Sequence, residues 1–234
     1  MVSGHIVSRE EYTMLGLLYK DQMTIWSSYR KNFLLVVILY TAMAYTLDMA
    51  FMLFALVFMG GMYIASTLSF DEMSHWDAYA RTLPVSTGQL VGVKYLLALG
   101  WMGGSFVLAE LLLTVCDLTK GRLRENLMYN LAGCLVSLGL VLIYYALTLP
   151  LSYKLGAARA RSGVIVAIGI SVGLICFASY SVKSDSPFSG SSPLASMNET
   201  TLLFLIGGGV IAVGLVLYVI SWWISTAIYQ KKEF

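Results

Sequence analysis

Charge-free apolar runs constrain this sequence more than any other feature. They cover residues 33–47, 49–69, 95–116, 127–149, 163–182 and 202–229, and Glu110 is the one acidic or basic side chain inside them. A helix rising 1.5 Å per residue needs about 20 residues to cross a hydrocarbon layer of ~30 Å. The runs therefore predict an all-α polytopic membrane protein with six transmembrane helices. The first run has only fifteen residues, and Asp48 alone separates it from the second. Those two are expected as a tight hairpin or a partly embedded pair. Composition agrees: 58% of the 234 residues are hydrophobic and 12% charged. One core in water could not hide so much apolar surface.

Several function classes fall away. A net charge of +2 leaves no basic face for a run of phosphates, so nucleic acid is excluded as a partner. Cys116, Cys134 and Cys176 lie in or beside apolar runs with no cysteine or histidine at ligand spacing, and read as small core hydrophobes. His5 and His75 stand 70 positions apart, so no metal site is proposed. The sequence has no GxxxxGK[ST] phosphate loop and no HExxH. Glu10-Glu11 precedes the first run without the later partners of an intramembrane protease, and the stretch from Asp77 to Arg81 lacks further acids to hold metal ions. No catalytic, cofactor-binding or metal residue is assigned, and the chain is not expected to be an enzyme by itself.

Lysine and arginine set the orientation. With a cytoplasmic N-terminus, the inner segments carry Arg9, Lys20, Arg30, Lys31, Arg81, Lys94, Lys154, Arg159, Arg161, Lys231 and Lys232, eleven cations. The outer segments carry four, Lys120, Arg122, Arg124 and Lys183, which places both termini in the cytoplasm. The cluster from Lys120 to Arg124 is an exception for a short outer loop, and suits lipid headgroups or an anionic substrate. Charges in the first thirty residues, with no apolar core before Phe33, predict no cleavable signal peptide.

Two segments between the runs have their own pattern. From Tyr12 to Lys31, Met14, Leu18, Ile25 and Tyr29 recur at helical spacing, which describes a helix lying in the inner interface; the alternative is an extended start of span one. In residues 70–94, Phe70, Met73, Trp76, Tyr79 and Leu83 fall along one side of a helix that Pro84 stops. Ser86 and Gln89 then have the spacing of a capping box that starts the helix into span three. The expectation is a short amphipathic cytoplasmic helix, either resting on the bilayer or docking a cytosolic partner through aromatic anchors.

Glu110 falls in span three, where an unpaired acid costs about 2.5–3.5 kcal/mol on insertion scales. It is a candidate intramembrane polar site, in a substrate path or a proton relay. The alternative is an interfacial acid that snorkels or pairs with Arg122 or Arg124. Gly169 and Gly173 match GxxxG and read as packing within the bundle. The loop from Lys183 to Thr201, with Pro187 and Pro193, reads as an irregular outer connection or a short re-entrant element.

Phe70-Asp-Glu-Met-Ser-His-Trp-Asp-Ala-Tyr-Ala-Arg-Thr-Leu-Pro-Val-Ser-Thr, followed by Leu90-Val-Gly-Val-Lys-Tyr95, resembles the segment after span two of small bacterial type-2 ABC exporter permeases. Leu149-Pro-Leu-Ser-Tyr-Lys-Leu-Gly156 is similar to the pattern after span four of the same family, and Leu15-Gly-Leu-Leu-Tyr-Lys-Asp21 extends the likeness over most of the chain. The resemblance implies half of a dimeric permease, paired with an identical copy or a paralogue, in the bacterial cytoplasmic membrane. It implies an elbow helix at the N-terminus (residues 1–31), spans one and two in 33–69, a coupling segment at 70–94, spans three and four in 95–149, and spans five and six in 163–229, all one domain. A separate ATPase subunit, carrying ATP and magnesium, would dock beneath. Phe70, Asp71, Glu72, Met73, Trp76, Asp77, Tyr79 and Arg81 would meet it, and Pro84 and Lys94 would set the angle at which movement enters span three. Some relatives export amphipathic peptides, including phenol-soluble modulins and lantibiotics. Alternatives are the substrate-binding membrane subunit of a small-molecule importer and an intramembrane enzyme.

Overall fold

The computed structural model describes residues 9–48, 50–80, 82–83, 85–157, 159–160, 162 and 199–231. Among them the regular elements are helices: α1 (Arg9–Thr46), α2 (Phe51–Met73), α3 (Trp76–Ala80), α4 (Thr87–Thr119), α5 (Leu123–Leu155) and α6 (Glu199–Lys231). Four contain segments long and apolar enough to cross a membrane, namely Phe51–Met73, Thr87–Thr119, Leu123–Leu155 and Phe204–Lys231. The six expected crossings are thus four candidate spans among the described residues. The run at 163–182, Cys176, the Gly169–Gly173 pair and the loop from 183 to 198 lie outside the described residues.

The expected elbow helix and first span are one helix. No glycine or proline interrupts α1 after Gly16, so nothing breaks its hydrogen-bond ladder. Leu17, Asp21, Ile25 and Ala44 are buried, and Leu18, Tyr29, Phe33, Val36, Val37 and Tyr40 pack against the core. These positions form a single helical stripe from end to end. The 38 residues span about 57 Å, and the apolar run at 33–47 is the second half.

α2 runs through the centre, with α4 and α5 closing on its two glycines. A Cβ on Gly60 would lie 2.0 Å from Ser105 Oγ, and one on Gly61 2.1 Å from a Tyr145 ring carbon. Only a residue without a side chain permits that approach. α2 ends at Met73, where the Ser74 amide donates to Phe70 O and His75 takes a left-handed backbone, φ 50°. The helix expected over Phe70–Leu83 is therefore two pieces, with Phe70 and Met73 in the last turn of α2 and only Trp76–Ala80 in α3.

The capping box forms as the spacing predicts. Ser86 Oγ accepts from the Gln89 amide at 3.3 Å, and Gln89 Oε1 accepts from the Ser86 amide at 3.0 Å. α4 runs antiparallel to both α5 and α6, so α5 and α6 run parallel. Their contacts climb in step, with Gly207 against Leu135, Gly139 against Val210 and Gly214 against Leu142. α5 accordingly finishes at the α3 end of the bundle and α6 begins at the other.

Candidate functional site

The α3 end gathers the charged residues that α1, α2 and α4 bring inward. Lys94 Nζ lies 2.7 Å from Asp21 Oδ2 and 2.5 Å from Asp71 Oδ2, and donates to Thr67 Oγ1 at 3.3 Å. Lys20 Nζ lies 2.8 Å from Asp71 Oδ1 and 3.2 Å from Asp21 Oδ1. The side chains of Lys94, Asp21 and Asp71 are 7%, 3% and 10% exposed. Two cations and two anions compensate one another, which is what permits this burial.

The α2–α3 segment is tied to every described long helix around it. Lys20 of α1 sits 3.9 Å above the Trp76 ring, a cation–π contact. Phe70 stacks against Tyr29 of α1 at 6.3 Å between ring centroids. Glu72 Oε1 accepts from the Ala157 amide at 2.9 Å, just after α5. There Gly156 has φ 90°, and a Cβ on it would come 3.3 Å from the Glu72 carboxylate. Tyr229 of α6 donates to Asp77 Oδ1 at 3.2 Å.

The predicted site residues therefore divide. Asp71 and Lys94 are buried in the ion cluster, Glu72 and Asp77 bond other parts of the chain, and Trp76 lies half-buried under Lys20. Met73 and Tyr79 are 79% and 58% exposed. With His75 they form the outward tip. Arg81 and Pro84 lie outside the described residues. The sequence reading passed over Lys20, Asp21, Thr67 and Tyr229. A signal for Asp21 was present, since an acid four residues after Leu17 and four before Ile25 falls on an apolar stripe and needs a buried partner.

The arrangement is closely packed. The cavity bounded by Asp71, Trp76, Asp77, Lys94, Tyr153 and Tyr229 holds about 20 Å³, the scale of a single water. Among the described residues no three His, Cys, Asp or Glu side chains gather to hold a metal ion. Two larger apolar grooves flank α4. One, about 530 Å³, lies toward α6 between Leu96, Leu99, Tyr218 and Trp222. The other, about 610 Å³, lies toward α1 between Trp26, Phe33, Gly100 and Trp101.

Glu110 does not pair with Arg122, which bonds Asp48 at 2.7 Å together with Lys120. Those two hydrogen bonds, that to Lys120 first, hold the exposed Asp48 carboxyl below its ordinary range. Among the described residues no N–H or O–H group bonds either Glu110 carboxyl oxygen, and the donor that faces the carboxyl group is the weak Cys134 thiol of α5.

Comparison with curated proteins and with solved structures returns no match. A family described as ABC-2 family transporter protein matches over residues 16–230, which takes in α2 to α5 whole, α1 from Gly16 onward and α6 as far as Gln230. A multi-pass helical chain fits that family of transporter membrane subunits, and the chain is a member of the ABC-2 transporter family, the permease of an ABC transporter.

Proposed function

We propose that the chain is the permease subunit of a bacterial ABC exporter, moving an amphipathic or hydrophobic substrate, of which a peptide is one class, across the cytoplasmic membrane. A separate ATPase subunit, with its ATP and magnesium, supplies the energy, and a second permease half completes the path. The observation that carries this reading is the α2–α3 segment. It presents Met73, His75 and Tyr79 outward while its buried side bonds α1, α4, α6 and the end of α5. A push on such a tip reaches the neighbouring helices through short polar contacts instead of a flexible loop. In this reading both termini face the cytoplasm, and Asp71, Glu72, Asp77 and Lys94 pass movement on while Met73 and Tyr79 touch the ATPase. The two apolar grooves along α4 suit cargo with an apolar face.

The test is purification from the native membrane in mild detergent, measuring ATP turnover and co-purifying subunits. A P-loop ATPase at equal stoichiometry is expected. Trp76→Ala with Tyr79→Ala should leave membrane insertion intact and separate ATP turnover from transport. Unchanged recruitment and transport in that double variant would sink the docking role. A chain that purifies without an ATPase and retains a small ligand would mark a substrate-binding subunit instead.

A further inference from the structure

The end of the bundle opposite α3 carries a polar seam that the permease reading does not use. At its mouth Asp48, between α1 and α2, bonds Lys120 and Arg122 from the turn between α4 and α5. Directly inside, the buried Asp117 of α4 accepts from Asn126 Nδ2 at 3.0 Å and from Asn130 Nδ2 at 2.5 Å, both on α5. These residues line a cavity of about 110 Å³, enough for several waters. Two turns deeper on the same face of α4, about 10 Å along the axis, stands Glu110. Cys134, the next turn of α5 after Asn130, lies beside it. Asn126, Asn130 and Cys134 on α5 thus face Asp117 and Glu110 on α4, a polar line from the cavity into the apolar layer.

The two acids differ in what meets them. Asp117 has two amide donors; both oxygens of Glu110 are buried, and among the described residues only the weak Cys134 thiol faces them. Nor is a cation at hand among the described residues. α1 has no charged side chain after Lys31, α2 carries Asp71 and Glu72 at the other end, α6 has none between Glu199 and Lys231, and α5 has none between Glu125 and Lys154. The titratable groups near Glu110 are Cys134 and Asp117, and neither is a cation. A bare carboxylate in that position would bear its full desolvation cost, whereas a carboxylic acid is neutral and needs no counter-ion.

We propose that Glu110 is a proton-binding site within the membrane layer, loaded and emptied through the Asp117–Asn126–Asn130 seam from the cavity at the end opposite α3. Loading forms one O–H bond at a Glu110 carboxyl oxygen with a proton from hydronium in the cavity, and emptying returns it to water there. No other bond changes. The bundle interior therefore gains or loses one negative charge according to the pH on that side. The inference does not rest on the ATPase reading.

Infrared spectroscopy of the full chain in lipid nanodiscs tests it, by following the carbonyl band of a protonated carboxylic acid after a jump to alkaline pH. The band is expected at neutral pH, shifted by ¹³C-glutamate labelling, absent in Glu110→Gln and retained in Glu110→Asp. It should disappear as a single-proton step. Asn130→Leu, which fills the seam, should slow that loss about tenfold, the effect of removing one polar contact from the route. If Glu110→Gln does not fold, the isotope shift in the unmodified chain still identifies a protonated glutamate, and Glu110→Asp tests its position. Absence of an isotope-sensitive band at neutral pH overturns the proposal. A band that Glu110→Gln leaves in place overturns the assignment to Glu110, and an unchanged rate in a folded Asn130→Leu variant overturns the route.

Discussion

Lys94 is the residue whose loss should be felt most. It stands between Asp21 and Asp71, both buried, and Lys20 is the other cation of the cluster. Lys94→Met leaves two acids facing each other, and is expected to cost about 3–5 kcal/mol, the usual penalty for stranding a buried charge. Removing one acid as well, in Lys94→Met with Asp71→Asn, restores neutrality with Lys20 and Asp21 and should recover about half of the loss. Thermal unfolding in detergent measures both. Asp48 illustrates the exposed case. Its folded carboxyl is held below the ordinary Asp value of about 3.9 by Lys120 and Arg122. The unfolded chain then binds the proton more readily, so the stabilisation is present above that value and fades as pH falls through the lowered folded one. Asp48→Asn should flatten the loss of thermal stability between about pH 5 and pH 2, and high salt should shrink the difference between the two proteins. Equal acid sensitivity would show that the contacts of Asp48 do not contribute.

At the scale of the element, α1 gives the clearest contrast between sequence and structure. Its charged first half and apolar second half look like two helices, yet both halves place core residues on one continuous stripe. Asn32→Pro tests this at an exposed position. Within one helix it should cost about 3 kcal/mol in stability, while at a junction between two helices it would be tolerated. Thermal unfolding in detergent measures the cost. The α2–α3 segment was less legible for a related reason. The three-residue spacing of Phe70, Met73, Trp76 and Tyr79 carries straight across Ser74 and His75, and side-chain periodicity does not report a left-handed residue in the backbone. The capping box was legible because Ser86 and Gln89 act on each other locally. The ion cluster was not, since Lys20 and Asp71 are 51 residues apart and only the packed helices bring them together. Glu110 stood out as an acid in an apolar run, but of the two arginines weighed as partners, Arg122 and Arg124, the first is taken by Asp48, which no spacing rule connects to it.

For the whole molecule, the direction of α6 decides the topology. Because α5 and α6 run parallel, Ser162 after α5 and Thr201 in α6 lie toward opposite ends of the bundle. Single cysteines there, on a background with Cys116, Cys134 and Cys176 replaced, should react with a membrane-impermeant maleimide from opposite sides of the membrane. Labelling of both from one side would overturn the parallel arrangement. The ion cluster at the α3 end has a different consequence, in the history of the sequence. Two lysines and two aspartates drawn from α1, α2 and α4 sum to zero charge, so replacing any one of them leaves an excess buried charge. Exchange for an apolar core is accessible only through paired substitutions, each intermediate passing through an unbalanced and less stable protein. The quartet is therefore expected to be inherited as a unit, gained or lost together across descendants of this chain.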